Sequence, residues 1–304
     1  MNEFKYLSMN YSLSGNFGDH VQSLAAEQHI PRVDKRVDRD FLNQVKLDEP
    51  HMLITNGWFS MNPETVFPFS EKIIPVFFGF HLTDNNETIS KIMTPKTVEY
   101  MKRYSPIGCR DPRTQEIFES FGIETFYSRC LTQTFPTRTE IPESKVVFVV
   151  DSSDVPIPEN LDKKLVGMTQ VIPRYYSEDF KYQQAKAALT MYREHAAMVV
   201  TSRIHCAMPC AAMGIPVVFF GDTEDTRLQV YTDIGGKIHH FKLEKGLRAK
   251  TIKKILDRTI YKSRFQEPDV DWSPKPLEMD AIKAEVIGRL KEQMDRAVDI
   301  YFNH

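Results

Sequence analysis

The sequence predicts an α/β protein built on largely parallel sheet, and two observations predict it. Apolar runs and helical stretches alternate along most of the 304 residues, the pattern that successive βα units leave in a chain. Two polar or glycine-rich turns, Gly15-Asn16-Phe17-Gly18-Asp19 and Thr201-Ser202-Arg203-Ile204-His205, each follow an apolar run and open a helical stretch. In open α/β sheets such turns lie at the carboxyl ends of the strands, where ligands bind. At roughly 100–200 residues per domain, the length predicts two domains.

In the first half, strands are expected at 4–9, 52–55, 73–78, 106–109 and 124–127, and helices at 18–29, 95–103 and 112–121. Pro95 and Pro112 suit a first helical turn, and Gly122 suits a C-terminal cap. Residues 135–144 are rich in Pro, Thr and Glu and have no period, so an inter-domain linker is placed there. The expected domains are 1–140 and 145–304. The second begins with a strand at 145–150 that ends at Asp151. A strand at 166–172, a helix at 177–195, a strand at 198–201, a helix at 204–213 capped by Gly214, and a strand at 216–220 follow. From 278 to 301, Met279, Ile282, Val286, Leu290, Met294, Ala297 and Tyr301 recur at three-and-four spacing and make one apolar face. Such a C-terminal helix packs on the body of the protein or crosses back to the first domain, as fits two facing Rossmann-like domains.

Composition narrows the function. Hydrophobic residues make up 41%, enough for ordinary cores, and the formal net charge is -2. That balance does not point to a nucleic-acid binder, which carries a basic excess or stripe. No apolar stretch has the roughly 18 residues of a membrane span. No basic segment followed by an apolar one opens the chain, so no signal peptide is expected. Cys109, Cys130, Cys206 and Cys210 sit in or beside apolar runs without a Cys-x-x-Cys pair, as reduced thiols of a cytoplasmic protein do. Cys206 and Cys210 are at helical spacing, but no nearby Cys or His completes a metal site. No metal and no cofactor are expected.

Five short motifs carry chemistry. In Gly15–Asp19, two glycines allow a sharp turn, Asn16 can accept from a helix N–H or touch a ligand, and Asp19 stands in the first helical turn. The alternative is an ordinary turn and cap, and the spacing matches neither a dinucleotide fingerprint nor a P-loop. In Thr201–His205, a helix N-terminus offers free N–H groups to an anion, Arg203 can grip phosphate or carboxylate, and His205 can act as acid or base. The alternative is a surface ion pair and a structural histidine. His81 of Gly79-Phe80-His81 also ends a strand. In Gly108-Cys109-Arg110-Asp111, Asp111 before Pro112 fits a helix cap, and Arg110 faces the cleft or pairs with a carboxylate. Asn56-Gly57-Trp58 reads as a turn after a strand, with Trp58 in core or against a ligand.

Taken in order, these pieces resemble the polysaccharide pyruvyl transferase family. The resemblance runs through Asn16-Phe17-Gly18-Asp19 with Gln22-Ser23-Leu24-Ala25-Ala26, Asn56-Gly57-Trp58, Phe80-His81, Gly108–Asp111, Cys130-Leu131-Thr132, Thr201–His205 and Met213–Val217. In Ser128-Arg129-Cys130 the chain departs from the pattern, which has glycine where Arg129 stands. The resemblance implies two Rossmann-like domains facing a cleft, similar to the GT-B glycosyltransferases. It implies phosphoenolpyruvate as donor and co-substrate, a saccharide acceptor of a surface polysaccharide or its lipid-linked precursor, and a pyruvate ketal as product. It places His205 and His81 as catalytic residues, and Arg203, Arg110, Asn16, Gly18, Ser202 and Ile204 at the donor. Asp19, Asn56, Trp58 and Arg227 are the acceptor-side candidates. Which histidine gives a proton and which takes one stays open. A glycosyltransferase using a nucleotide sugar and a non-catalytic glycan binder are the rival readings.

Overall fold

The computed structural model describes residues 4–143, 146–152, 155, 157, 158, 161, 163–239 and 270–303. The remaining positions, among them Ser144 of the expected linker, Lys145 of the expected strand and 240–269 of the expected second domain, lie outside the described residues.

The first-half strands are all parallel. β1 (Lys5–Asn10) lies between β2 (Lys35–Asp38) and β3 (His51–Ile54), and β3 pairs with β5 (Ile73–Val76). A second sheet has the order β4 (Gly57–Trp58), β6 (Phe80–His81), β7 (Ile107–Cys109), β8 (Thr125–Tyr127). It continues the first, because β3 runs on into β4 and β5 into β6. Thr55 N donates to Val76 O at 3.0 Å and Gly57 N to Gly79 O at 3.3 Å across the join. The second half builds a five-stranded parallel sheet in the order β10 (Lys164–Met168), β9 (Val146–Val150), β11 (Ala196–Thr201), β12 (Val217–Phe220), β13 (Ile238–His239). β9 and β11 are near-continuous apolar runs because helices cover both faces of a parallel sheet.

The helices are α1 (Gly18–Glu27), α2 (Asn86–Ile92), α3 (Pro95–Arg103), α4 (Pro112–Ser120), α5 (Glu178–His195), α6 (Ile204–Ala212), α7 (Gln229–Thr232) and α8 (Asp280–Asn303). Side chains start several of them. Thr94, Asp111 and Ser177 accept from the backbone N–H groups of Thr97, Thr114 and Phe180, which satisfies donors a helix leaves open. One buried apolar cluster joins Ile54, Val76 and Phe78 through Val21 to Phe148, Val199 and the Val286–Leu290 face of α8. Gln293 and Arg289 of α8 donate to Pro106 O (2.6 Å) and Tyr127 O (2.9 Å), so α8 crosses back over first-half strands.

The structure differs from the expected elements where polar contacts outweigh apolar pattern. The strand expected at 166–172 ends at Met168, because Thr169 and Gln170 turn to the Asp151 carboxylate. The strand expected at 73–78 breaks after Val76 at the Gly79 turn, and α1 stops at Glu27. β2, β4, β6, α2, α7 and β13 were not expected; Gly57–Trp58, read as a turn, pairs with Phe80–His81, and β2 reads Lys-Arg-Val-Asp and has one buried residue. Residues 135–143 hold no helix or strand.

One junction fixes the loops around β6. Asn56 is fully buried; its Nδ2 donates to Gln22 O (3.1 Å) and its Oδ1 accepts from Leu131 N (3.2 Å) and the Cys130 thiol (3.4 Å). Gly79 turns beside it at φ 65°, and a Cβ there would fall on Asn56 Oδ1. In the loop after β8, which touches the Gly79 turn, Arg129 sits at φ 64°, the left-handed region that favours glycine, at the position where glycine is expected from the sequence. Opposite effects follow in these two touching loops. Gly79→Ala is expected to destabilise by about 2 kcal/mol or more. Arg129→Gly is expected to be neutral or stabilising by up to about 1 kcal/mol. Thermal and denaturant unfolding of the two variants checks both signs.

Candidate functional site

In both the β1-centred and the β9-centred sheets the chain first steps to one side and then to the other. The order reverses between β1 and β3, and again between β9 and β11. The carboxyl ends at such reversals form crevices in open α/β sheets. Here one open pocket of about 390 Å³ collects residues at or just after those ends: Asn16, Asp19, Trp58, His81, Thr83, Arg110, Gln170, Ser202 to His205, Phe220 to Asp222, Asp225, Arg227 and Leu228.

Arg110 is the unusual cation. It is 4 % exposed, yet its guanidinium makes no ion pair among the described residues. Nη1 instead donates to Gln22 Oε1 at 3.1 Å and to His205 Nε2 at 3.4 Å. Because a guanidinium only donates, His205 Nε2 carries no proton. Burial, the Arg110 charge and His81 hold the His205 imidazole well below its ordinary range. α6, which carries His205 in its first turn, has no side-chain cap, so its leading N–H groups are open to an acceptor.

His81 is the second imidazole. Its Nδ1 donates to Asp111 Oδ2 at 2.6 Å, and Asp111 is held in turn by Thr114 N and Thr114 Oγ1. The N-cap of α4 thus also orients a histidine, leaving Nε2 as its free base. Burial and Arg110 outweigh Asp111 and push His81 down to about 4. His81 and Arg110 hold the Asp111 carboxyl below its usual range against burial.

Arg203 is positioned from behind. Asp151, at φ 49°, accepts from Arg203 Nε at 2.8 Å through Oδ2 and from Gln170 N at 3.0 Å through the same oxygen. Thr169 Oγ1 donates to Oδ1 at 2.5 Å, and Ser202 Oγ donates to Asp151 O at 2.8 Å. Against burial, these contacts hold the carboxyl below its usual range. The Nε contact leaves the terminal nitrogens of Arg203 for the pocket. Arg227 is paired with Asp225 through Nε at 2.8 Å. Asp19 accepts from Ser14 Oγ and Gln22 Nε2. Behind it, fully buried Arg39 grips Asp40 and faces the rings of Tyr11 and Trp58. Trp58 Nε1 donates to Thr83 Oγ1 at 2.7 Å.

The pocket therefore gathers His205, His81, Arg203, Arg110, Asn16, Ser202, Ile204, Asp19, Trp58 and Arg227 from the residues singled out in the sequence. It does not gather Gly18 or Asn56. Gly18 N donates to Asn16 Oδ1 and shapes the turn, and Asn56 is consumed by its loop contacts. Gln170, Thr83, Phe220, Asp222, Asp225 and Leu228 were not singled out, nor were the orienting Asp151 and Arg39. All four cysteines are free and buried. No helix among the described residues is long and apolar enough to cross a membrane.

The lowered histidines set a pH dependence. In the unfolded chain they take protons near pH 6.5, and in the folded chain they resist. Their contribution to stability is therefore present above about pH 6.5 and is lost as pH falls toward the folded values. For His81 the window runs from about 6.5 down to about 4, with a slope of up to about 1.4 kcal/mol per pH unit. His81→Asn is expected to flatten that slope, measured by denaturant unfolding from pH 7 to pH 5.

The family model for polysaccharide pyruvyl transferase matches residues 16–223, which is more than half of the chain. No curated protein matches. Among solved structures, a functionally uncharacterised protein from Klebsiella pneumoniae subsp. pneumoniae is 14% identical with a TM-score of 0.48, covering 77% of this chain and 92% of that one. With ordered motifs and a family match that spans the turns at both switch points, the chain belongs to the polysaccharide pyruvyl transferase family.

Proposed function

We propose that the protein transfers the pyruvyl group of phosphoenolpyruvate to two hydroxyls of a sugar in a polysaccharide or glycan precursor, free or lipid-linked, in the cytoplasm. The observation that carries this is Arg110, a buried guanidinium on the pocket wall with only neutral acceptors. A buried charge without a paired counterion is strongly disfavoured; Asp111 acts on Arg110 only from beyond ion-pair distance, and a small anion supplies a direct partner. Phosphoenolpyruvate brings two anionic groups. Arg203 and the open start of α6 suit its phosphate, and Arg110 suits its carboxylate. Two sheets of like strand order, with carboxyl ends around one pocket, support reading 1–140 and 145–304 as Rossmann-like units facing a cleft, as in GT-B enzymes.

In this reading the donor switches the histidines on. Burial and the Arg110 charge together keep both imidazoles neutral; an anion against Arg110 cancels the second of these, and His205, freed of its bond to the guanidinium, takes up a proton. His205 gives that proton to C3 of the enol, which becomes the methyl group, while C2 becomes the electrophile. A sugar hydroxyl forms the first bond to C2 and loses its proton to His81 Nε2, with Asp111 holding the ring. The C2–O bond to phosphate breaks, and a second hydroxyl closes the ketal. Of the two hydroxyl protons, one replaces that spent on C3 and the other leaves with phosphate. Arg203 and helix N–H groups stabilise the departing charge. No metal or cofactor takes part; Asp19, Trp58 and Arg227 line the acceptor side.

Two measurements test this. Phosphoenolpyruvate is expected to raise the melting temperature, and UDP-, GDP- and CMP-sugars are not. His205→Ala is expected to keep that rise but lose at least about 10²-fold in pyruvate transfer, read by mass spectrometry of a glycan mixture. Arg110→Met is expected to lose the rise itself. A melting shift given by a nucleotide sugar alone would instead mark a glycosyltransferase, and a donor shift without transfer to any glycan would mark a binding protein.

A further inference from the structure

The segment from Gln170 to Phe180 has an inner side bound to the site and an outer side in water. On the inner side, Gln170 lines the pocket and Val171 bridges to Asn16. Ile172 N donates to Gly15 O at 2.9 Å, and Glu178 Oε2 accepts from Tyr11 N at 2.7 Å. Lys181, 1 % exposed, ties Glu178 Oε1 to the backbone oxygens of Tyr11 and Ser14. On the outer side stand three aromatic rings in a row. Tyr175 is 83 % exposed, and Tyr176 and Phe180 are each 42 % exposed. Their successive ring centroids are 5.0 and 4.8 Å apart. Large apolar groups clustered in water mark a surface that binds something.

We infer that Tyr175, Tyr176 and Phe180 form a carbohydrate shelf, on which sugar units beside the modified one stack, so that the acceptor is an oligosaccharide. This rests on the function proposed above. A sugar ring presents an apolar C–H face edged by hydroxyls. It matches an aromatic face, and tyrosine adds a hydroxyl that stays in water beside it. Tyr175 lies five residues from pocket-lining Gln170, at most about 17 Å of extended chain, and the contacts of Val171, Ile172 and Glu178 to Asn16, Gly15 and Tyr11 hold the segment on both sides of Tyr175 and Tyr176 against the loop that carries Asn16. The surroundings favour a neutral partner. Arg174 and Asp179 are both exposed, one of each sign, so the basic excess that holds an anionic membrane is missing. Three side chains also fall short of the roughly 800 Å² per partner of a stable dimer.

The test compares wild type with the Tyr175→Ala/Tyr176→Ala variant, whose changes are at exposed positions. The probes are neutral tetrasaccharides of glucose, galactose and N-acetylhexosamine and their parent monosaccharides, with affinities read by NMR titration. Wild type is expected to bind at least one tetrasaccharide tenfold or more tighter than its monosaccharide. The variant is expected to lose that gain while keeping the wild-type melting shift with phosphoenolpyruvate. Equal binding by the variant, no gain with chain length, or no binding to any probe overturns the shelf. So does a variant that loses only dimerisation or sedimentation with phosphatidylglycerol vesicles. If phosphoenolpyruvate gives wild type no shift while shelf-dependent sugar binding persists, the donor assignment fails and the shelf stands.

Discussion

The site is organised around one buried cation that makes no direct ion pair among the described residues and feels the Asp111 carboxylate only from beyond ion-pair distance. Arg110 is withdrawn from water and bonded to a glutamine and an imidazole, neither of which carries a negative charge. The other pocket arginines are balanced, Arg203 by Asp151 and Arg227 by Asp225. The contact from Arg110 to His205 reaches from the loop after β7 to the first turn of α6, so it also joins the two halves of the chain. Its geometry forbids a proton on His205 Nε2, and its charge depresses His81 as well. Burial and the Arg110 charge thus disfavour a proton on either imidazole, and in the reading proposed above an anion against Arg110 eases this at His205.

The fold explains why these residues meet. Parallel strands point their carboxyl ends the same way, and the reversals of strand order between β1 and β3 and between β9 and β11 open crevices at those ends. Carboxylates behind the pocket then fix the orientation of its cationic groups. Asp111 caps α4 and holds His81; Asp151 holds Arg203 and the Thr169–Gln170 turn. Each makes several bonds from a buried or half-buried position, which leaves little rotational freedom to the ring or guanidinium it supports.

Much of this was legible in the sequence because the strong signals are local. A short apolar run followed by a turn and a helical stretch placed Arg203, His205, His81 and Arg110 at strand ends. The cap at Asp111 and the helix over 95–103 follow from side chains within four positions. What escaped depends on distant partners. β2 is mostly charged and becomes a strand through its pairing with β1. Gln170 and Asp225 sit in loops without periodicity. Asn56 resembled a ligand-facing turn residue, yet Leu131 and Gln22, far away in sequence, use up its amide. The glycine expected where Arg129 stands did report local geometry: the backbone there is left-handed despite the side chain.

The most direct measurement is a crystal structure with phosphoenolpyruvate bound. The account predicts its carboxylate within about 3 Å of the Arg110 guanidinium, its phosphate at Arg203 and the first N–H groups of α6, and its methylene carbon facing His205. A donor bound elsewhere, or one seated in the pocket with Arg110 still bonded only to Gln22 and His205, would contradict it.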